Sequence, residues 1–195
     1  MTQTARLFLG QFARSPHTVG AIFPSSSALA QTMVAPIDFA TARMIVEFGP
    51  GTGAFTRAIA QRMQPQCRYL GIELNEHFCR ALTTEFPRLA FVHGSVANLT
   101  RILAAQGIGK IDAIVSGIPW ATLPISLQAT VLPRVNRALA PGGIFVTFGY
   151  LQSLVLPATW ALRQRLRRSF QHVSLSPVVF ANIPPAFAYV CRKAK

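Results

Sequence analysis

An apolar run that breaks into three alternating glycines constrains this chain more than any other feature in it. Residues 46–53 read Val-Glu-Phe-Gly-Pro-Gly-Thr-Gly, the pattern of a strand that enters a tight turn and opens a helix. Met44–Phe48 is apolar enough for a buried parallel strand. Gly49, Gly51 and Gly53 let the backbone turn sharply and approach a ligand with no Cβ in the way. Twenty residues beyond Gly53, a second apolar run ends in Glu73. A carboxylate at the tip of the second strand is where an open α/β sheet grips a ribose diol through two hydrogen bonds. The pattern is that of a nucleoside-cofactor site.

The rest of the sequence alternates in the same way. Apolar runs predict strands at 44–48, 68–73, 90–93, 111–116 and 144–148. Helices are predicted at 52–62, 76–86, 97–106 and 126–140, the last bent at Pro133. A helix at 159–168 precedes two late strands, 172–180 and 186–192, joined through Pro184-Pro185. Near the N-terminus, Ala5, Phe8, Leu9, Phe12 and Ala13 fall on one helical face, with Arg6 and Arg14 at its edges and Pro16 beyond it. Serines 25–27 after Pro24 offer an N-cap for a second helix at 26–35. The prediction is one α/β domain, a doubly wound sheet over residues 41–195 with a helical extension over 1–40.

Composition narrows the partners. Nineteen Lys plus Arg against six Asp plus Glu give a net charge of +13, which attracts polyanions such as nucleic acid or anionic lipid headgroups. The chain is also 51% hydrophobic, with a mean hydropathy of +0.36, which is unusual for a protein directed only at RNA. Residues 15–37, 113–133, 138–162 and 169–191 contain no Asp, Glu, Lys or Arg and are long enough for membrane helices. Internal Pro, Gly and Ser argue against all four, and a soluble fold with apolar surface is expected. No long apolar core with a cleavage site opens the chain, so no secretory signal is expected. Cys67, Cys79 and Cys191 are odd in number and unclustered, which predicts buried thiols in a reducing cytosol. The four histidines have no ligand-like spacing with Cys, Asp or Glu, so no metal site is expected.

The glycine turn alone leaves the cofactor open, because Gly49-x-Gly51-x-x-Ala54 also satisfies the dinucleotide pattern. Glu47, two residues before Gly49, and the closing strand pair favour S-adenosylmethionine. Glu47-Phe48-Gly49-Pro50-Gly51-Thr52-Gly53 resembles motif I of the class I methyltransferases, and Gly71-Ile72-Glu73-Leu74-Asn75 resembles their ribose-binding segment. His93-Gly94-Ser95-Val96 falls where that fold contacts adenine, and Ser116-Gly117-Ile118-Pro119-Trp120 where it lines the transfer site. More narrowly, Val19-Gly20-Ala21-Ile22-Phe23-Pro24-Ser25-Ser26 together with Ser116-Gly117-Ile118-Pro119 is similar to bacterial phospholipid N-methyltransferases, which convert phosphatidylethanolamine stepwise toward phosphatidylcholine.

That resemblance implies a seven-stranded Rossmann-like sheet with an antiparallel last strand. It implies that Glu47, Phe48, Gly49, Gly51, Thr52 and Gly53 hold the methionine part of the cofactor, with Glu47 ordering the turn through backbone bonds. Glu73 and Leu74 would hold the ribose, Gly94, Ser95 and Val96 the adenine, and Ser116 both cofactor and acceptor. The backbone carbonyls of Ser116, Gly117 and Ile118 would orient the acceptor amine. Trp120 would offer a π face to the methylated ammonium, and Tyr150 a hydroxyl or second wall. His17 and His77 are candidate bases by position only. Phe8, Leu9 and Phe12, with Trp160, Arg163 and Arg167, are expected to meet lipid. The implied enzyme is peripheral on the inner face of the bacterial cytoplasmic membrane, without nucleic acid or an obligate protein partner. The adjacent family, the rRNA adenine dimethyltransferases, carries Asn-Leu-Pro-Tyr where this chain has Gly117-Ile118-Pro119-Trp120, and Gly117 lacks the amide that accepts from adenine. The helical RNA-gripping domain of that family is not expected either. A third alternative is a methyltransferase-like module that binds membranes or nucleic acid without turnover.

Overall fold

Five of the predicted apolar runs stand side by side as parallel strands: β1 (Met44–Phe48), β2 (Arg68–Glu73), β3 (Ala90–His93), β4 (Ile111–Ser116) and β5 (Leu139–Tyr150). With β6 (His172–Leu175) and β7 (Ala186–Arg192) they form one seven-stranded sheet in the order β3-β2-β1-β4-β5-β7-β6. β7 runs antiparallel to both of its neighbours. The computed structural model describes residues 25–195. The expected N-terminal helix with Phe8, Leu9 and Phe12, His17, and the 19–24 part of the family-like segment lie outside them.

The helices are α1 (Ser27–Val34), α2 (Ala54–Ala60), α3 (Glu76–Glu85), α4 (Leu99–Ala105), α5 (Ile125–Ala138) and α6 (Pro157–Ser169). They cover both faces, as a parallel sheet requires. On one face α4, α5 and α6 close over Val46, Ile72, Ile114 and Phe145. On the other, α1 and α2 close over Ile45, Val115 and Val146. β1 is buried at every position. Ser26 caps α1 by accepting the Leu29 N–H, and Asn75 caps α3 by accepting from His77 and Phe78. The three cysteines are buried thiols, as expected, and burial pushes Cys191 up to about 12.

Several predicted boundaries moved. β5 begins five residues early, because Leu139 pairs with Ile111 before a register irregularity brings Ile144 opposite Ala113. The predicted helix at 97–106 splits into a 3₁₀ turn (Val96–Asn98) and α4. The strand predicted at 172–180 stops at Leu175; Pro177 has no N–H for the ladder, and only an isolated bridge from Val179 to Ala186 follows. Pro133 lies inside α5. Among the described residues no helix is long and apolar enough to cross a membrane.

Candidate functional site

The strand order reverses between β1 and β4, and at such a switch point the carboxyl ends of the strands open a crevice. Phe48 lies opposite Ser116, so the glycine turn and the loop after β4 leave the sheet together. Gly49, Gly51 and Gly53 all adopt left-handed φ, at 62°, 56° and 79°, a conformation glycine supplies without Cβ strain. The Gly49 N–H donates to the Ile72 carbonyl, and Gly53 to Pro50, each at 2.9 Å.

Glu73, at the tip of β2, reaches this turn directly. Its Oε2 accepts the Gly51 N–H at 2.9 Å and its Oε1 the Asn75 N–H at 2.8 Å. Two backbone donors therefore fix the carboxylate, and each oxygen keeps capacity for a further hydroxyl. The Gly94 N–H donates to the Glu73 carbonyl at 2.8 Å. Ser95 caps the following turn by accepting from Ala97, beside the buried Val96. Glu73, Leu74, Gly94, Ser95 and Val96 are thus gathered at the tips of β2 and β3.

Glu47 departs from expectation. It does not bond to the backbone of the glycine turn. Its side chain lies on the same sheet face as Ile45, fully buried, where Oε2 accepts the Tyr69 hydroxyl at 2.6 Å and the Thr56 hydroxyl at 2.9 Å. Glu47 ties β1 to β2 and α2 beneath the turn. Its Oε1 is buried without a partner. Burial pushes its carboxyl up to about 7 against the two hydroxyls, and the Glu73 charge adds to the rise.

The loop after β4 is held from three sides. The Gly117 N–H donates to the Phe48 carbonyl at 2.8 Å. The buried Ser116 hydroxyl accepts the Trp120 indole N–H at 2.8 Å. Buried Gln128 of α5 donates to the carbonyls of Trp120 and Leu123, both at 2.9 Å, and accepts from Arg165 of α6. Thr147 of β5 presents its hydroxyl to the carbonyls of Ser116 and Ile118 at 3.4 and 3.5 Å. Trp120 is consequently a core anchor, fully buried and edge-on to Phe145. An indole N–H buried in a core needs an acceptor, and Ser116 supplies it, so the expected open π face is absent.

Tyr150, half-buried at the end of β5, packs edge-on to Phe148 on the α1 and α2 face. The structure therefore does not bring it to Trp120, which lies on the other face. Ile118 does meet the turn: its Cγ1 is 3.1 Å from where a Cβ on Gly49 would stand. Thr52 and His77 are exposed beside the turn and at the start of α3. Trp160 and Arg167 are exposed and Arg163 half-buried on α6, which follows the end of β5.

Thr56, Tyr69, Gln128 and Thr147 were not singled out by the sequence. Thr147 and Gln128 did carry a signal, as lone polar residues among the apolar positions of β5 and α5. A groove of about 320 Å³ lined by Asp38, Asp112 and Arg192 lies at the opposite edge of the sheet. There Asp112 serves the fold by accepting the N–H groups of Arg43 and Met44.

Known proteins resemble this chain in sequence and in fold. The methyltransferase domain family matches residues 45–143. An ornithine lipid N-methyltransferase from Singulisphaera acidiphila is 37% identical over 194 residues, covering 97% of this chain and 96% of that protein. The structure of a spermidine synthase in complex with the transition state analogue AdoDATO superposes with a TM-score of 0.69 at 12% identity, over 87% of this chain and 62% of that one. A TehB-like S-adenosylmethionine-dependent methyltransferase from Corynebacterium glutamicum gives a TM-score of 0.63 at 15% identity, over 97% and 100% of the two chains.

Proposed function

From its membership of the class I S-adenosylmethionine-dependent methyltransferases, to which this chain belongs, we propose that it methylates the primary amine of a membrane lipid headgroup. The observation that carries this reading is the near full-length similarity to an enzyme named for a lipid N-methyltransferase activity. The motif pair quoted above points to phosphatidylethanolamine, whereas that relative is named for ornithine lipid. Both present an amine beside an anionic group, and the two are separated by assay.

The residues present fit the cofactor. The glycine turn holds a left-handed backbone at all three glycines, with room where a Cβ on Gly51 would stand, 3.9 Å from the Gly49 carbonyl oxygen, and the Glu73 carboxylate accepts the Gly51 N–H. Residues 49–53 would hold the methionine portion, Glu73 the ribose hydroxyls, and Gly94, Ser95 and Val96 the adenine. When bound, S-adenosylmethionine supplies a methyl group on a sulfonium. In-line transfer then depends mainly on proximity and alignment, which the rigid loop at 116–120 provides. The single Thr147 hydroxyl proton is shared between the carbonyls of Ser116 and Ile118, so the carbonyls of 116–118 keep lone pairs that would accept an N–H of the amine and aim its lone pair. Ser116 acts through Trp120 and positions this loop. Tyr150, its phenol pushed upward by burial, stays neutral as an apolar-faced wall on the far side of β5.

Replacing Glu73 with alanine removes the ribose acceptor and frees the Gly51 N–H. Cofactor affinity measured by calorimetry is expected to fall at least about tenfold, the scale of one lost charge-assisted hydrogen bond; full affinity would overturn the ribose assignment. The function itself is tested with labelled S-adenosylmethionine and vesicles containing phosphatidylethanolamine or ornithine lipid, resolved by thin-layer chromatography. Labelled lipid in one arm identifies the headgroup and counts the methyl additions. No labelled lipid in either arm, with the cofactor still bound, would overturn the lipid reading and return attention to RNA.

A further inference from the structure

Six of the seven exposed large apolar side chains of the described residues, all but Leu175 on the edge strand β6, are concentrated at one edge of the molecule, and it is the edge that carries the site. Val155 is 83% exposed, Phe180 and Ile183 73% each, Ile125 62% and Trp160 60%, with Leu156 beside them. They come from three separate stretches of chain that the topology gathers. Ile125 is the first residue of α5, directly after the loop from β4. Val155, Leu156 and Trp160 follow the end of β5, and the Trp160 indole N–H donates to the Leu154 carbonyl at 2.9 Å. Phe180 and Ile183 lie in the connection that enters β7, whose first residue Ala186 pairs with Tyr150 at the tip of β5. The Leu151 N–H donates to the Pro185 carbonyl, which closes these two stretches against each other.

Charge along the segments that carry these side chains is one-sided. The sequence has no Asp or Glu from Ala113 to Lys195, so every segment of the rim is free of carboxylates. Asp38 and Asp112 lie at the opposite edge, Glu47 is buried, and Glu73 is buried at the tip of β2 with its oxygens on the Gly51 and Asn75 N–H groups. Glu76 and Glu85 are on α3, each paired with an arginine. Arg163 and Arg167 follow Trp160 at helical spacing along one stripe of α6. An aromatic tip backed by arginines on one stripe suits the depth profile of a bilayer interface, with the ring among the headgroups and the guanidinium groups at the phosphates.

We propose that this rim is the face that seats the enzyme on an anionic lipid bilayer, with the mouth of the site turned toward the headgroups. The proposal rests on the lipid reading above for its purpose but not for its measurement. The variant V155S/L156S/F180S/I183S in the full chain alters no residue assigned to the cofactor or amine. Its binding to vesicles of phosphatidylglycerol and phosphatidylcholine, followed by co-sedimentation, is expected to be at least about tenfold weaker than that of the unaltered protein, since four exposed apolar side chains that the bilayer would bury are lost. S-adenosylmethionine affinity and melting temperature should be unchanged. The pair R163Q/R167Q should lose most of the preference for anionic over purely zwitterionic vesicles, about fivefold per arginine.

Unchanged vesicle binding in the serine variant overturns the proposal. So does a variant that runs as a monomer where the unaltered protein runs as a dimer while vesicle binding is equal, because the rim would then be covered by a second copy. Rim-dependent vesicle binding without methyl transfer to any lipid, in vesicles or as short-chain monomers, would instead sustain the docking face and overturn the lipid substrate.

Discussion

Alanine at Gly117 is expected to weaken S-adenosylmethionine binding by about thirtyfold and to remove most methyl transfer, the middle of the range for overpacking a tightly fitted site. A Cβ at this position would stand 2.6 Å from the Gly49 carbonyl oxygen and 3.5 Å from that of Phe48. Both obstacles are backbone, so no rotamer change relieves them. The Gly49 N–H is committed to Ile72, and the Gly117 N–H to Phe48. Either the glycine turn or the loop after β4 must move, and the two together make the crevice. Gly109→Ala is the control, because a Cβ there meets nothing within 4 Å. Calorimetry of cofactor binding reads the effect; normal affinity in Gly117→Ala would mean that the turn and the loop are not in contact when the cofactor binds. The same clash applies to asparagine, so the residue that marks the rRNA adenine dimethyltransferases cannot be grafted here without displacing the turn. Gly117 is thus an argument against RNA on steric grounds as well as on the missing amide.

Much of this site was legible because its parts are local. β1, β2, β3 and β4 keep their predicted limits, since each apolar run stops at a polar residue or glycine. The glycine turn and Glu73 lie within one βαβ unit, and their spacing dictates that they meet. What was not legible depends on distant pairing. β5 reaches back through Pro141, Gly142 and Gly143, residues that read as a turn, because β4 and the tail after β7 supply its partners. Trp120 reads as an aromatic beside a reactive loop until the acceptor for its indole is seen four residues upstream. The two hydroxyls on Glu47 come from α2 and β2, so its role under the turn has no local signature. The rim is the extreme case: its residues span 125–183, and only the reversal of β7 brings Phe180 and Ile183 to the tip of β5.

The buried carboxyl of Glu47 should make the fold's stability fall as pH rises from about 4.5 to about 7. Its folded pKa is raised to about 7 from an ordinary 4.5, chiefly by burial. Between those values the folded chain holds a proton that the unfolded chain has released, so unfolding becomes easier with increasing pH, by about 3 kcal/mol across the window. Below the window both states are protonated and the contribution is fully present; above it both are ionised and the loss is complete. Glu47→Gln keeps an oxygen for the Tyr69 and Thr56 hydroxyls but cannot ionise. Its amide replaces an unpartnered oxygen with unpartnered N–H groups, which costs about 1–3 kcal/mol at every pH. The offset between the two proteins is therefore uninformative and the slope is the readout. Thermal melts from pH 4.5 to 8 should show the melting temperature of the unaltered protein dropping relative to Glu47→Gln by about 6–12 °C, for a domain of this size. Parallel pH profiles would mean that Glu47 is ionised throughout, with Tyr69 and Thr56 sufficient to hold its charge beneath the glycine turn.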